Sequence, residues 1–130
     1  MTKDDWDYLK EWFEKADHDI ENARLVISYN STILDTACFH CQQAVEKYMK
    51  AYLLYKRERT PKIHDVNQLQ CKCAVFDNDF AIIDLKNLNL FAVDLRYPGD
   101  SLQPSLDEAK EYLQIAENIK KIVLDKIVFD

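Results

Sequence analysis

Four cysteines, three histidines and one cluster of cations are the chemically capable residues of this 130-residue chain. Cys38-Phe-His-Cys41 reads as a CxxC and Cys71-Lys-Cys73 as a CxC. Such spacings hold zinc or a redox pair when the backbone permits. On a helix, positions i and i+3 share a face, but i and i+2 sit about 200° apart. Cys71 and Cys73 therefore cannot meet one metal without unwinding their helix. A redox CxxC belongs at a strand-to-helix junction, and no strand precedes this one. Ordinary core thiols are the better reading, because cysteine is among the most buried residue types. No metal site and no cofactor are expected.

The histidines differ in context. His18 lies between Asp17 and Asp19, on the polar side of its segment, and reads as surface. His40 stands mid-helix between Phe39 and Cys41, where a satisfied core or interface histidine is the better reading. His64 follows Pro61 in a loop and precedes a capping Asp65. It can serve as an acid or base near neutral pH, or simply as part of the loop's structure. Arg96 closes a helical pattern just before Tyr97-Pro98. It can complement the helix dipole or offer a planar fork to a phosphate or carboxylate. Gln43, Lys47 and Lys50 occupy successive turns at i, i+4 and i+7, so they share one face.

The chain carries a net charge of −6, which argues against a nucleic-acid-binding face spread over the whole surface. Between Lys47 and Lys62, however, six cations stand against Glu58, a local +5 that leaves −11 elsewhere. A cationic patch on an acidic protein can attract a phosphate. It can equally be a solvated helix end facing its own dipole. With a single glycine there is no phosphate-cradling loop, and neither GxSxG nor HExxH occurs. No apolar run is long enough to cross a membrane, and the polar start lacks a signal-peptide core. The expected location is the cytoplasm, with the thiols reduced.

The elements that position these residues follow from the apolar spacing. Trp6, Leu9, Phe13, Ala16, Ile20, Ala23 and Ile27 alternate by three and four, which predicts a first helix capped by Thr2 or by Asp4 or Asp5. Ala37, Cys41, Ala44, Tyr48, Ala51 and Tyr55 form the stripe of a second helix, with Thr32 or Asp35 as cap. Cys38, Val45, Met49 and Tyr52 widen it, so this helix is expected to be central or dimer-facing. Its small residues Ala37, Cys41 and Ala44 would permit close approach across a two-fold axis. Asp65 can cap a short third helix from Val66 to about Val75, with Val66, Leu69 and Cys73 inward. Asp77-Asn78-Asp79 breaks it, and a fourth helix is predicted over Phe80 to Arg96, with Ala81, Leu85, Leu88, Ala92 and Leu95 on one face. Ser105 and Glu108 make a capping box for a fifth helix carrying Leu106, Ala109, Leu113, Ala116, Ile119, Val123 and Ile127. With 48% hydrophobic residues, the expected fold is all-α and a single domain over residues 1–130. It is a four-helix up-and-down bundle with an additional short helix.

The second helix also carries a resemblance. Phe39-His40-Cys41-Gln42-Gln43-Ala44-Val45-Glu46-Lys47-Tyr48-Met49-Lys50-Ala51 resembles the FHxQQAxEKxxKAxL signature of the HEPN (higher eukaryotes and prokaryotes nucleotide-binding) domain family. Ile63-His64-Asp65 is similar to the THD-type start of that family's third helix, and Arg96-Tyr97-Pro98 to the RYP ending its fourth. The resemblance extends over about Trp6 to Ile127. It implies a helical bundle, commonly a homodimer. It also implies a two-component, toxin–antitoxin-like module with a minimal nucleotidyltransferase as partner protein. Many members are metal-independent ribonucleases with an Arg-x(4–6)-His motif, and here the motif fails, because no histidine follows Arg96 at that distance. Arg59 and His64 have the spacing but sit in a loop broken by Pro61, outside the motif's context.

The expectation is therefore a nucleotide- or RNA-binding subunit, more plausibly a binder than an enzyme. Gln43, Lys47, Lys50, His64, Arg96 and Tyr97 would contact phosphate and base. One alternative is a metal-independent ribonuclease with a displaced site drawn from His64, Arg96 and Arg59. The other is a non-catalytic dimeric interaction module whose basic patch is merely solvated.

Overall fold

In the computed structural model, residues 1–29, 32–60, 62–92 and 102–129 are described. They form four α-helices: α1 (Lys3–Ser28), α2 (Leu34–Tyr55), α3 (Val66–Phe76) and α4 (Leu106–Lys126). Two 3-10 turns, Asn78–Ile82 and Leu88–Phe91, lie between α3 and α4. No strand forms among the described residues, and no described helix is long and apolar enough to cross a membrane.

Local chemistry sets most boundaries. The Thr2 hydroxyl accepts from the Asp5 N–H, and the Asp5 carboxylate accepts from the Thr2 N–H. This reciprocal box satisfies two donors that a helix start leaves unpaired, and it holds the Asp5 carboxyl below its ordinary value. Ser105 and Glu108 repeat the arrangement at α4. Asp65 caps α3 through the N–H groups of Asn67 and Gln68. α2 departs from expectation. Its cap is Ile33, with no side-chain hydrogen bond, and Asp35 lies within the first turn instead.

α2 is the hub. It packs against α1, α3, α4 and the second 3-10 turn. Arg24 bonds Glu117 at 2.8 Å and Lys120 lies 2.9 Å from Asp17, so α4 runs antiparallel to α1. The Tyr55 hydroxyl accepts from the Val128 N–H, which sets the ends of α2 and α4 side by side. The first helix buries its expected stripe: Leu9, Ala16, Ile20 and Ala23 are almost wholly sealed, and Phe13 packs on Tyr48 with ring centroids 6.2 Å apart. Tyr48 donates its hydroxyl to Asp17, and with its burial this pushes the phenol pKa up.

Ala37, Cys41 and Ala44 are fully buried within the chain. They are therefore unavailable for close approach across a two-fold axis, and the small-residue face serves packing inside the bundle. Cys38 and Cys73 are likewise sealed, and burial pushes both thiols up to about 12; Cys41 rises for the same reason. Cys71 is exposed, on the opposite side of α3 from Cys73. Among the described residues, no group of three or more His, Cys, Asp or Glu is placed to hold a metal. A rise from 9.0 to about 12 cuts the thiolate fraction roughly a thousandfold. Thiol titration of the native protein at pH 8 should therefore label one of the four cysteines, Cys71, with the rest reacting only in denaturant. Two or more fast thiols would contradict this packing.

The predicted fourth helix is not continuous. Phe80 to Ala92 instead forms the two 3-10 turns, joined through Lys86 at a left-handed φ of 51°. Side chains take the backbone partners that a helix would need. The Asp84 carboxylate accepts from the Lys86 N–H at 2.8 Å. The Gln70 amide donates to the Phe80 and Ile83 carbonyls, both at 2.7 Å. The Asn89 side chain accepts from the Val66 N–H at 3.1 Å. Ala81 is exposed, whereas Leu85, Leu88 and Phe91 are buried. Leu95 lies outside the described residues.

Candidate functional site: a groove along the second helix

After α2 the chain turns back on it. Glu58 N–H bonds Leu53 C=O at 2.8 Å and Arg57 N–H bonds Leu54 C=O at 2.9 Å, a Schellman pair that ends the helix. Arg57 holds the left-handed position of that turn at φ 66°, where glycine is the usual residue. The strap, described at residues 57–60 and 62–64, then returns along α2. Arg59 and Thr60 reach the level of Lys50 and Leu54, and the His64 carbonyl accepts from the Gln42 amide at 3.2 Å. Strap and α1 thus form two walls of a groove whose floor is α2.

A left-handed non-glycine residue costs roughly 1 kcal/mol. Arg57→Gly should relieve that and raise the Tm by roughly 2–6 °C in calorimetry. A lower Tm would show that the guanidinium, 4.0 Å from Asp5, contributes more than the turn loses.

Two buried carboxylates organise the floor. Glu46 is 6% exposed and faces the strap. Its Oε2 lies 3.0 Å from Lys50 Nζ and 3.1 Å from His64 Nδ1, and its Oε1 accepts from the Gln42 amide at 3.4 Å. Gln43 donates to Gln42 Oε1 at 2.7 Å, which extends the network by one side chain. Asp19, on α1, is 7% exposed. Its Oδ1 lies 2.8 Å from His40 Nδ1, and its other oxygen pairs with Lys47. Each carboxylate thus holds one lysine and one histidine. Each histidine is gripped at Nδ1, and with the proton there Nε2 becomes the acceptor.

The sequence places Gln43, Lys47 and Lys50 on one side of α2; the structure joins Gln43, Lys50 and His64 to Glu46, directly or through Gln42, and Lys47 to Asp19 of α1. It also shows Lys47 and Lys50 ion-paired, with Lys50 only 5% exposed. His40 is neither core nor surface but half-buried on Asp19. Arg59 lies at the strap end of the groove, apart from the Glu46 contacts of His64. Arg96 and Tyr97 lie outside the described residues. Asp19, Glu46 and Gln42 were missed. Glu46 had a readable signal, its i, i+4 relation to Lys50. Asp19 had none, because it borders the first helix's apolar stripe and looks like a surface acid.

At the end of the groove near Leu54, a pocket of about 190 Å³ opens between Tyr8 and Trp12 of α1 and Arg59 and Thr60 of the strap. Tyr8 and Trp12 meet edge-to-face with centroids 6.2 Å apart.

A helical bundle whose central helix carries a polar, ion-paired groove defines the class of protein. The particular family follows from comparison: the family model for the HEPN domain matches residues 9–127. The chain belongs to the HEPN domain family, as its second-helix signature implied. The fold is similar to the crystal structure of an archaeal HEPN homologue, with a TM-score of 0.66 and 23% identity over 92% of this chain and 98% of that one. No curated protein matches the sequence significantly.

Proposed function

We propose that the chain is a nucleotide- or RNA-binding HEPN subunit whose ligand lies in the groove along α2. The observation that supports this reading is a pair of ion-paired networks on α2, Gln43, Lys50 and His64 around Glu46 and Lys47 with His40 on Asp19, beside a basic strap. Incoming phosphate would share Lys47 and the His64 ring with the carboxylates that now position them. Arg96 and Tyr97 complete the proposed set by sequence alone. Phosphate binding by lysine and arginine is salt-sensitive, with a slope of about −0.7 per contact on single strands. Titrating ATP and a short RNA at two salt concentrations tests the reading. Absence of binding to either at low salt overturns it. Homodimerisation, and pairing with a minimal nucleotidyltransferase in a toxin–antitoxin-like module, rest on the family resemblance. Sedimentation and co-purification test them.

A second reading is favoured by one contact. Glu46 holds His64 at Nδ1 and leaves an exposed ring, an arrangement suited to removing the 2′-hydroxyl proton of RNA. Arg59 or Arg96 would then face the phosphate charge. This predicts RNA cleavage in EDTA that is lost in His64→Ala. Cleavage unchanged in that variant removes it.

A further inference from the structure

The geometry points to the pocket between Trp12 and Arg59 as a stacking subsite for one nucleobase, at the end of the groove nearest the α2 C-terminus. This rests on the binding reading above and adds residues that the second-helix signature does not contain.

Three observations carry it. First, the pocket is built mainly of carbon, from the Tyr8 and Trp12 rings and the Leu54 side chain. The only ammonium in its lining, that of Lys50, is sealed against Glu46. The exposed cation left in the lining is the Arg59 guanidinium. Second, its volume of about 190 Å³ is below the ~300 Å³ at which clefts for drug-sized ligands begin. It fits one planar ring system and leaves sugar and phosphate outside. Third, the exposed Arg59 lies across the pocket from the rings, and planar guanidinium and aromatic side chains are the two platforms on which unstacked bases sit. Glu58 on the rim is an acceptor, which suits a base bearing an exocyclic amino group. The groove supplies direction. From this pocket, α2 leads back through Lys47 to His40, so a strand with one base in the pocket runs its backbone over the ion-paired floor.

The base can belong to a free mononucleotide or to single-stranded RNA, and fluorescence separates the two. The chain has two tryptophans. Trp6 packs on Tyr55 and Phe129 with centroids 6.1 and 5.8 Å away, so Trp6→Phe leaves Trp12 as the sole reporter. AMP, a hexa-adenylate RNA and an abasic RNA of the same length are titrated into this protein, with tryptophan emission and RNA anisotropy read together. Saturable quenching is expected with AMP, with hexa-adenylate or with both, and abasic RNA should bind without quenching. Quenching by AMP assigns the site to a free nucleotide, and quenching by RNA alone assigns it to a strand. Trp12→Leu should weaken whichever ligand quenches by roughly 5- to 100-fold with an unchanged salt slope, while Trp12→Phe keeps most of the affinity. RNA binding by anisotropy with unchanged Trp12 emission overturns the subsite and leaves the groove reading standing. No binding of any probe overturns both.

Discussion

Glu46→Ala is expected to lower the unfolding free energy by about 3–5 kcal/mol, among the largest losses for any polar residue of this fold. The carboxylate pairs with the Lys50 ammonium at 3.0 Å, and both side chains are below 10% exposed. Removing the acid leaves a buried cation without compensation, and it also strips the His64 ring and the Gln42 amide of an acceptor. Breaking a buried pair costs far more than the pair contributes, because the desolvation of the survivor remains. The double variant Glu46→Ala/Lys50→Met should therefore recover most of the loss, since a thioether fills the lysine's channel without charge. Urea denaturation of the four proteins in this cycle gives the answer through the midpoint at constant m. A double variant no more stable than Glu46→Ala would show that Glu46 acts through His64 and Gln42 and not through Lys50.

Asp19→Asn is expected to move stability and ligand binding in opposite directions. The amide keeps the shape of the side chain but forfeits a charge-assisted bond to Lys47 and the charge facing His40, at about 1–3 kcal/mol. In the groove, however, Lys47 loses the carboxylate that neutralises it. A unit charge several Å from a phosphate, at an effective dielectric near 20, is worth on the order of 1–3 kcal/mol. Affinity for a short RNA should thus rise roughly 5- to 100-fold, and the salt slope should steepen by roughly 0.7 for the freed cation. Binding that weakens at both salt concentrations would mean that Asp19 positions Lys47 and His40 for the ligand and does not screen it.

Where the backbone follows hydrophobic spacing, the sequence is legible. The stripes of the first and second helices are the ones the structure buries, and Thr2, Asp65 and Ser105 cap as their positions imply. The stretch after Asp79 misleads because two periods overlap there. Leu85, Leu88 and Phe91 recur every three residues, the repeat of a 3-10 turn, where the side chains eclipse. The alternative reading through Ala81, Leu85, Leu88 and Ala92 imitates an α-helix. Asp84 tips the balance, since its short carboxylate takes the Lys86 N–H from the helix ladder, while Asn89 is drawn to the Val66 N–H of α3. The candidate site is legible only in part, for a different reason. Cations on one face of α2 can be read from spacing, but their counter-charges cannot. The partner of Lys47 and His40 comes from another helix, and that of His64 is reached only once the strap folds back.

The hydrogen bonds from Gln70 to two carbonyls, and from Val66 to the Asn89 side chain, have a kinetic meaning. They tie α3 to the 3-10 region, and both pack on α2 in the common core. Residues linked in this way can open together in local unfolding. The N-terminal edge of this unit is Asp65 and Val66, next to His64, so the strap wall of the groove is anchored to it. The His64 wall is then held from two sides, by this unit and by Glu46 and Gln42 of α2. Binding in the groove would slow amide exchange at the Gln70-bonded turn, which the ligand does not touch.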